Sequence, residues 1–240
     1  MDRIDKNCWL LNRPIAHRGL HGDGVPENSE AAYRRAIYGN YPIEMDLQLT
    51  SDGAVVSFHD DDLKRMTGAK GLIWDKTLGE IKALRLADTD EKIMTFEELL
   101  ELVGGKVPLM IEIKKQRDKG IIVDKTLDAL KNYKGEFAIQ SFDPRLVGEV
   151  AKKRPEILRG QLIDVARHKE INFFADKLLT GGYLNFISKP DFVNVNVDNL
   201  PVAKRVYKKA HLITWTIRNE EDKLKARKYA ENYTFEFIHK

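Results

Sequence analysis

Residues 108–113, Pro108-Leu109-Met110-Ile111-Glu112-Ile113, form a short apolar run that closes on a charged pair, Glu112 and Lys114. An amphipathic stretch follows at Ile121–Tyr133, then a second short run at Phe137–Ile139, a second amphipathic stretch at Pro144–Lys153, and a third short run at Leu158–Leu162. Short apolar runs of this kind suit buried parallel strands, and the longer amphipathic stretches between them suit crossover helices. The alternation continues in both directions. It predicts strands at Pro14–His17, Ile43–Leu47, Phe192–Val197, Leu212–Thr216 and Thr234–Ile238, and helices at Ser29–Tyr38, Pro201–Lys209 and Glu220–Ala230. Val55–Phe58 reads as an additional short strand after the Asp52-Gly53 turn.

Local punctuation agrees with this pattern. Ser29 stands where a helix N-cap belongs, and Asp143-Pro144 sets a cap before a proline in the first helical position. Thr95 with Glu98 three residues on reads as a capping box opening a helix to Leu102. Eight strands, most followed by a helix, predict an α/β fold, the parallel (β/α)8 TIM barrel of roughly 250 residues. A doubly wound open sheet gives the same alternation. In either fold the chemistry belongs at the carboxyl ends of the strands.

Of the 240 residues, 42% are hydrophobic, 32% charged and 9% aromatic, a globular composition. Forty basic against thirty-seven acidic residues leave a formal charge of +3, spread along the chain. With no basic cluster interleaved with aromatics, nucleic acid is not the expected partner. The single cysteine, Cys8, excludes an internal disulfide and a thiolate metal cluster. No run approaches the roughly 18 apolar residues of a transmembrane segment. Met1–Arg13 carries charges throughout and lacks the order of a signal peptide, so the expected location is cytoplasmic. Without an internal linker, residues 1–240 are expected to form a single domain.

Residues suited to catalysis recur where the predicted strands end: His17 and Arg18, Glu44 and Asp46, His59, Glu112 and Lys114, and Trp215. Glu44 and Asp46, two apart in a strand, share a face, as do Glu112 and Lys114. Three converging carboxylates would repel one another unless a cation joined them, and an all-oxygen set suits Mg²⁺ or Ca²⁺ better than Zn²⁺. Pairing of Glu44 and Asp46 with Lys or Arg is the alternative. His17 and His59 are the natural proton-transfer pair. A carboxylate beside His59, in the run Asp60-Asp61-Asp62, is suited to fix its tautomer, with Asp61 and Asp62 read as solvated loop. Arg18 and Lys114 suit a phosphate oxyanion. His21, His168, His211 and His239 carry no expected role.

The ordered set Ala16-His17-Arg18-Gly19, Pro26-Glu27-Asn28-Ser29, Glu44-Met45-Asp46-Leu47-Gln48, Asp52-Gly53 and His59-Asp60 resembles the glycerophosphodiester phosphodiesterase family. The resemblance runs on through Leu63, Arg65, Thr67 and Gly68, Ile111-Glu112-Ile113-Lys114, Gln140-Ser141-Phe142 and Thr214-Trp215-Thr216. It implies a (β/α)8 barrel that hydrolyses small-molecule glycerophosphodiesters to glycerol 3-phosphate and an alcohol. By motif position, His17 and His59 become the general acid/base pair. Glu44, Asp46 and Glu112 become ligands of one divalent cation, Mg²⁺ or Ca²⁺, with Glu27 close by. Arg18 and Lys114 would hold phosphate oxygens, and Trp215 would pack against the glycerol or the alcohol. Asp60–Val107 matches the family's small insertion between the early strands.

Three departures stand out: Ser29 for the usual threonine, Met94 before Thr95, and a last strand in which Glu236 stands at an acidic position. Two rival functions remain at this level, a lysophospholipase D-type activity on lysolipids and a non-catalytic phosphodiester-binding barrel.

Overall fold

The computed structural model describes residues 3–115, 119–164 and 185–236. His168, His239 and the end of the last predicted strand lie outside the described residues. Two compact units are distinguished, Ala16–Phe137 and Met1–Ile15 with Ala138–Lys240.

The chain enters through a short helix, α1 (Trp9–Asn12), and strand β1 (Ile15–Ala16). In the unit Ala16–Phe137, β1 leads into helix α2 (Glu30–Tyr38), capped as expected by Ser29, whose Oγ accepts the N–H of Ala32 at 3.2 Å. α2 buries Ala32, Tyr33 and Ala36. Gly19 allows the close approach: its φ is +79°, and a Cβ there would lie 2.9 Å from the backbone of Ala32.

Strand β2 (Ile43–Leu49) is buried at every position, as a strand covered on both faces must be. Met45, Leu47 and Leu49 fill one face and Glu44, Asp46 and Gln48 the other. Strand β3 (Val55–Ser57) turns back antiparallel along β2, pairing Val55 with Leu49 and Ser57 with Leu47. Four helical segments follow: α3 (Lys64–Thr67), a 3₁₀ turn at Ile73–Asp75, α4 (Leu78–Lys82) and α5 (Phe96–Val103). Leu63, Met66, Ile73, Ile81, Leu86 and Ile93 pack with Val56 and Phe58 as a core of their own. α5 opens on the expected capping box, Thr95 with Glu98. Strand β4 (Leu109–Ile113) lies parallel to β2 with Asp46 opposite Glu112, and helix α6 (Lys119–Leu130) follows it.

The second unit carries strand β5 (Phe137–Ser141) from Ala138 onward, with β6 (Leu158–Ile163), β7 (Phe192–Asn196), β8 (His211–Ile217) and β9 (Asn232–Phe235). These pair in parallel in sequence order. Helices α7 (Pro144–Lys153), α8 (Asn185–Ser188), α9 (Leu200–Val206) and α10 (Glu220–Tyr229) connect them among the described residues. Asp143 caps α7 ahead of Pro144, as predicted. Gly160 in β6 sits against its partner Phe192, so closely that a Cβ would meet the ring at 2.2 Å. Asn232 ties β9 to the start of the chain by donating to the carbonyls of Leu10 and Arg13 at 2.9 and 2.7 Å.

Eight parallel strands in sequence order, with β3 as the extra antiparallel strand, make the fold a (β/α)8 barrel. The open-sheet alternative is set aside.

Candidate active site

The alternating pattern of β2 puts Glu44, Asp46 and Gln48 on one face, and the register of β4 adds Glu112 beside Asp46. Glu44, Asp46 and Glu112 each offer an oxygen, and these atoms lie within 4.8 Å of one another, all three residues being buried. Two cations are set into the cluster. Lys114 Nζ lies 2.8 Å from Asp46 Oδ1 and 2.6 Å from Glu112 Oε1. Arg18 Nε lies 3.2 Å from Asp46 Oδ2, and its Nη1 donates to Glu27 Oε1 at 2.7 Å. The backbone N–H of Arg18 donates to Glu44 Oε2 at 3.1 Å, in a left-handed conformation with φ +53°. Glu44 and Asp46 thus converge with Glu112, and Asp46 is also paired with Lys114 and Arg18.

The charges cannot all be satisfied equally. Burial pushes the Glu44 carboxyl well above the usual range, and the negative neighbours Asp46 and Glu112 push it further. Glu112 is also raised by burial, against the pull of Lys114. Burial acts on Asp46 too, but Lys114 and Arg18 outweigh it and hold that carboxyl well below the usual range. The cluster thus carries an excess of acid that its own cations do not cover. Oxygen donors this close, without thiolate, fit a hard divalent cation and make the three carboxylates a candidate site for one.

His17 follows β1, its Nε2 3.8 Å from Glu44 Oε2. His59 follows β3, and its Nδ1 lies 2.6 Å from Asp60 Oδ1, the carboxylate contact anticipated from the sequence. Because β3 runs back along β2, the chain next to His59 lies level with Asp46, whose carbonyl accepts the N–H of Phe58 at 3.0 Å. Burial lowers the His59 imidazole to about 4 against the opposing pull of Asp46. Its loop is pinned by Gln48, whose Nε2 donates to the carbonyls of Phe58, His59 and Asp60 at 3.1, 3.1 and 2.7 Å.

Sequence reasoning gave no role to Gln48, Asn28 or Tyr33. Asn28 Nδ2 donates to Asp46 Oδ2 at 2.9 Å, while its Oδ1 accepts from Tyr33 Oη at 2.9 Å and Ser57 Oγ at 3.2 Å. The i, i+2 spacing that joins Glu44 to Asp46 extends to Gln48 and was the available signal for it. For Tyr33, buried on a helix between alanines, there was none.

Trp215 belongs to the second unit, where its ring meets Phe142 edge-on with centroids 5.7 Å apart. Glu236 follows β9 and accepts from Arg218 Nε at 2.7 Å. His211 Nδ1 lies 2.6 Å from Glu231 Oε2.

An acid-rich centre that carries its own cations, set at strands of a (β/α)8 barrel, is the candidate active site. The chain belongs to the Glycerophosphoryl diester phosphodiesterase family, whose profile matches residues 17–232. It is 39% identical to a glycerophosphodiester phosphodiesterase of Caldanaerobacter subterraneus subsp. tengcongensis over 163 residues, 62% of this chain and 65% of that relative's length. A glycerophosphodiester phosphodiesterase of Bacillus subtilis is 27% identical over 233 residues, 87% of this chain and 77% of the relative. Among solved structures, an Oleispira antarctica phosphodiesterase in complex with the product sn-glycerol-3-phosphate matches with a TM-score of 0.75 at 24% identity, over 93% of this chain and 92% of that one. No helix among the described residues is long and apolar enough to cross a membrane.

Proposed function

We propose that this protein hydrolyses glycerophosphodiesters to glycerol 3-phosphate and an alcohol, with one divalent cation, Mg²⁺ or Ca²⁺, held by Glu44, Asp46 and Glu112. The observation that carries the reading is the convergence of those three buried carboxylates with Arg18 and Lys114 in a chain of this family. When bound, a divalent ion supplies charge neutralisation at the phosphate and a more acidic nucleophile.

The chain's own groups do the rest. Arg18 and Lys114 hold nonbridging phosphate oxygens and stabilise the charge that builds there, Arg18 braced by Glu27. One histidine takes the proton of the attacking hydroxyl: water attacks phosphorus directly, or the glycerol 2-hydroxyl attacks first to give a cyclic phosphate that water then opens to glycerol 3-phosphate. As the bond from phosphorus to the leaving oxygen breaks, the other delivers a proton to that oxygen. His59, with Nδ1–H directed to Asp60, offers Nε2 as the acceptor and is read as the base; His17 is then the acid. The role of Trp215 against the glycerol or the alcohol rests on the resemblance and on the apolar wall its ring makes with Phe142.

Steady-state release of glycerol 3-phosphate from glycerophosphocholine by wild type, His17→Ala and His59→Ala tests the scheme. Each substitution is expected to lower kcat by about 100-fold or more. Near-normal turnover by either variant contradicts the assigned acid/base pair. Turnover by wild type on lysolipids alone would shift the substrate to that class, and binding without turnover would leave a phosphodiester-binding barrel.

A further inference from the structure

Arg65 lies on α3, the first helix after His59, and its guanidinium closes a two-sided clamp. On one side Nε and Nη2 donate to Asp60 Oδ2 and Oδ1 at 2.5 and 3.0 Å. On the other, Nη1 and Nη2 donate to Glu27 Oε2 and Oε1 at 3.0 and 2.7 Å. Asp60 in turn meets His59 Nδ1, and Glu27 meets Arg18. The chain of contacts therefore runs from one proposed catalytic group, His59, to a proposed phosphate ligand, Arg18, through Asp60, Arg65 and Glu27, with Arg65 at its centre.

We propose that Arg65 is a positioning residue, fixing through Asp60 the tautomer and the ring orientation of His59. The proposal rests on the phosphodiesterase reading for what His59 does, but its geometry stands apart from that reading. An ionised carboxylate has no proton to give, so the proton of the His59–Asp60 bond sits on Nδ1 and leaves Nε2 with its lone pair. Asp60 alone, beside His59 in the chain, is free to turn about its own side-chain bonds. A two-pronged guanidinium fixes the plane of its carboxylate, and with it the imidazole.

Arg65 is itself firmly placed. Leu63, the N-cap of α3, and Met66 within it are buried in the core built by the segment after β3, and Gly68 ends the helix with φ +70°. A backbone held on that core, carrying a side chain that reaches out to the loop of His59, gives this segment a part in the reaction. The Arg65 side chain is 47% exposed, and ion pairs that open to water typically add little to stability. A purely structural role therefore predicts little consequence from its loss, which makes the positioning role separable.

Two readouts on the full chain decide it. In ¹⁵N-edited NMR of the histidine rings, wild type is expected to show His59 as the Nδ1–H tautomer, and Arg65→Gln is expected to show both tautomers in exchange. On glycerophosphocholine, Arg65→Gln is expected to lose about 10- to 100-fold in kcat with KM within about threefold of wild type. Arg65→Lys is expected to recover part of the loss. If Arg65→Gln does not fold, Arg65→Lys, which keeps the charge but cannot span both carboxylates bidentately, carries both measurements. A His59 signature unchanged by the substitution overturns the proposal whatever the kinetics, and so does a changed tautomer with unchanged kcat. A wild-type protein that turns over no diester defeats the phosphodiesterase reading, while the NMR comparison still decides whether Arg65 fixes the ring.

Discussion

Glu44 and Asp46, two residues apart on one strand face, are pushed in opposite directions from the usual carboxylate range by what surrounds them. Asp46 has Lys114 and Arg18 against it, and Glu44 has burial and two like charges. A carboxyl whose folded pKa is raised binds a proton that the unfolded chain has already released above about pH 4.3, so its burial costs stability as pH rises towards neutral. Two outcomes follow for the ion-free protein at pH 7. Glu44→Gln is expected to raise Tm, by about 2–4 °C for each kcal/mol relieved, and a scanning calorimetry comparison checks it. Added Mg²⁺ or Ca²⁺ is expected to raise the Tm of wild type, and to go on raising it with the logarithm of ion concentration above Kd, but not that of Asp46→Asn. A lower Tm for Glu44→Gln contradicts the charge assignment.

At the scale of the elements, the caps and close contacts give further tests. Thr95→Ala removes the side-chain acceptor from the capping box of α5 and is expected to cost about 1 kcal/mol in urea unfolding. Gly160→Ala forces a methyl against the Phe192 ring between β6 and β7 and is expected to cost about 1–3 kcal/mol, measured in the same way. The strands and main helices were legible because their signals are local: the apolar run at 108–113, the caps at Ser29, Thr95 and Asp143, and Pro144 at a helix start. α7 spans Pro144–Lys153 as read. The direction of β3 was not legible, since pairing depends on register with a partner and not on its own three residues. His59 was found as a strand-end residue, yet it reaches the neighbourhood of Asp46 because β3 is antiparallel. The carboxylates were legible from their spacing on strands. Gln48, Tyr33 and Asn28 were not given roles, because a hydrogen-bond network linking β2, α2 and the loop after β3 leaves no periodic trace in the chain.

For the molecule as a whole, acid response comes from the carboxylates that folding holds below their usual range. Glu27 and Asp60 are buried in part, yet Arg65 and its neighbours hold both lower than in the unfolded chain. Such groups contribute stability that is fully present above about pH 4 and is lost as pH falls through their folded values. Urea midpoints of wild type and Arg65→Gln are therefore expected to converge as pH drops from 5 towards 3. A gap between them that widens on acidification contradicts this. The chemistry of the acidic cluster is tested by ³¹P NMR of glycerophosphocholine with the wild-type protein in Mg²⁺ or Ca²⁺, then with a chelator in excess. Conversion to glycerol 3-phosphate is expected, stopping with the chelator and resuming when the ion is restored. Conversion that continues unchanged under chelation, or none with either ion, contradicts it.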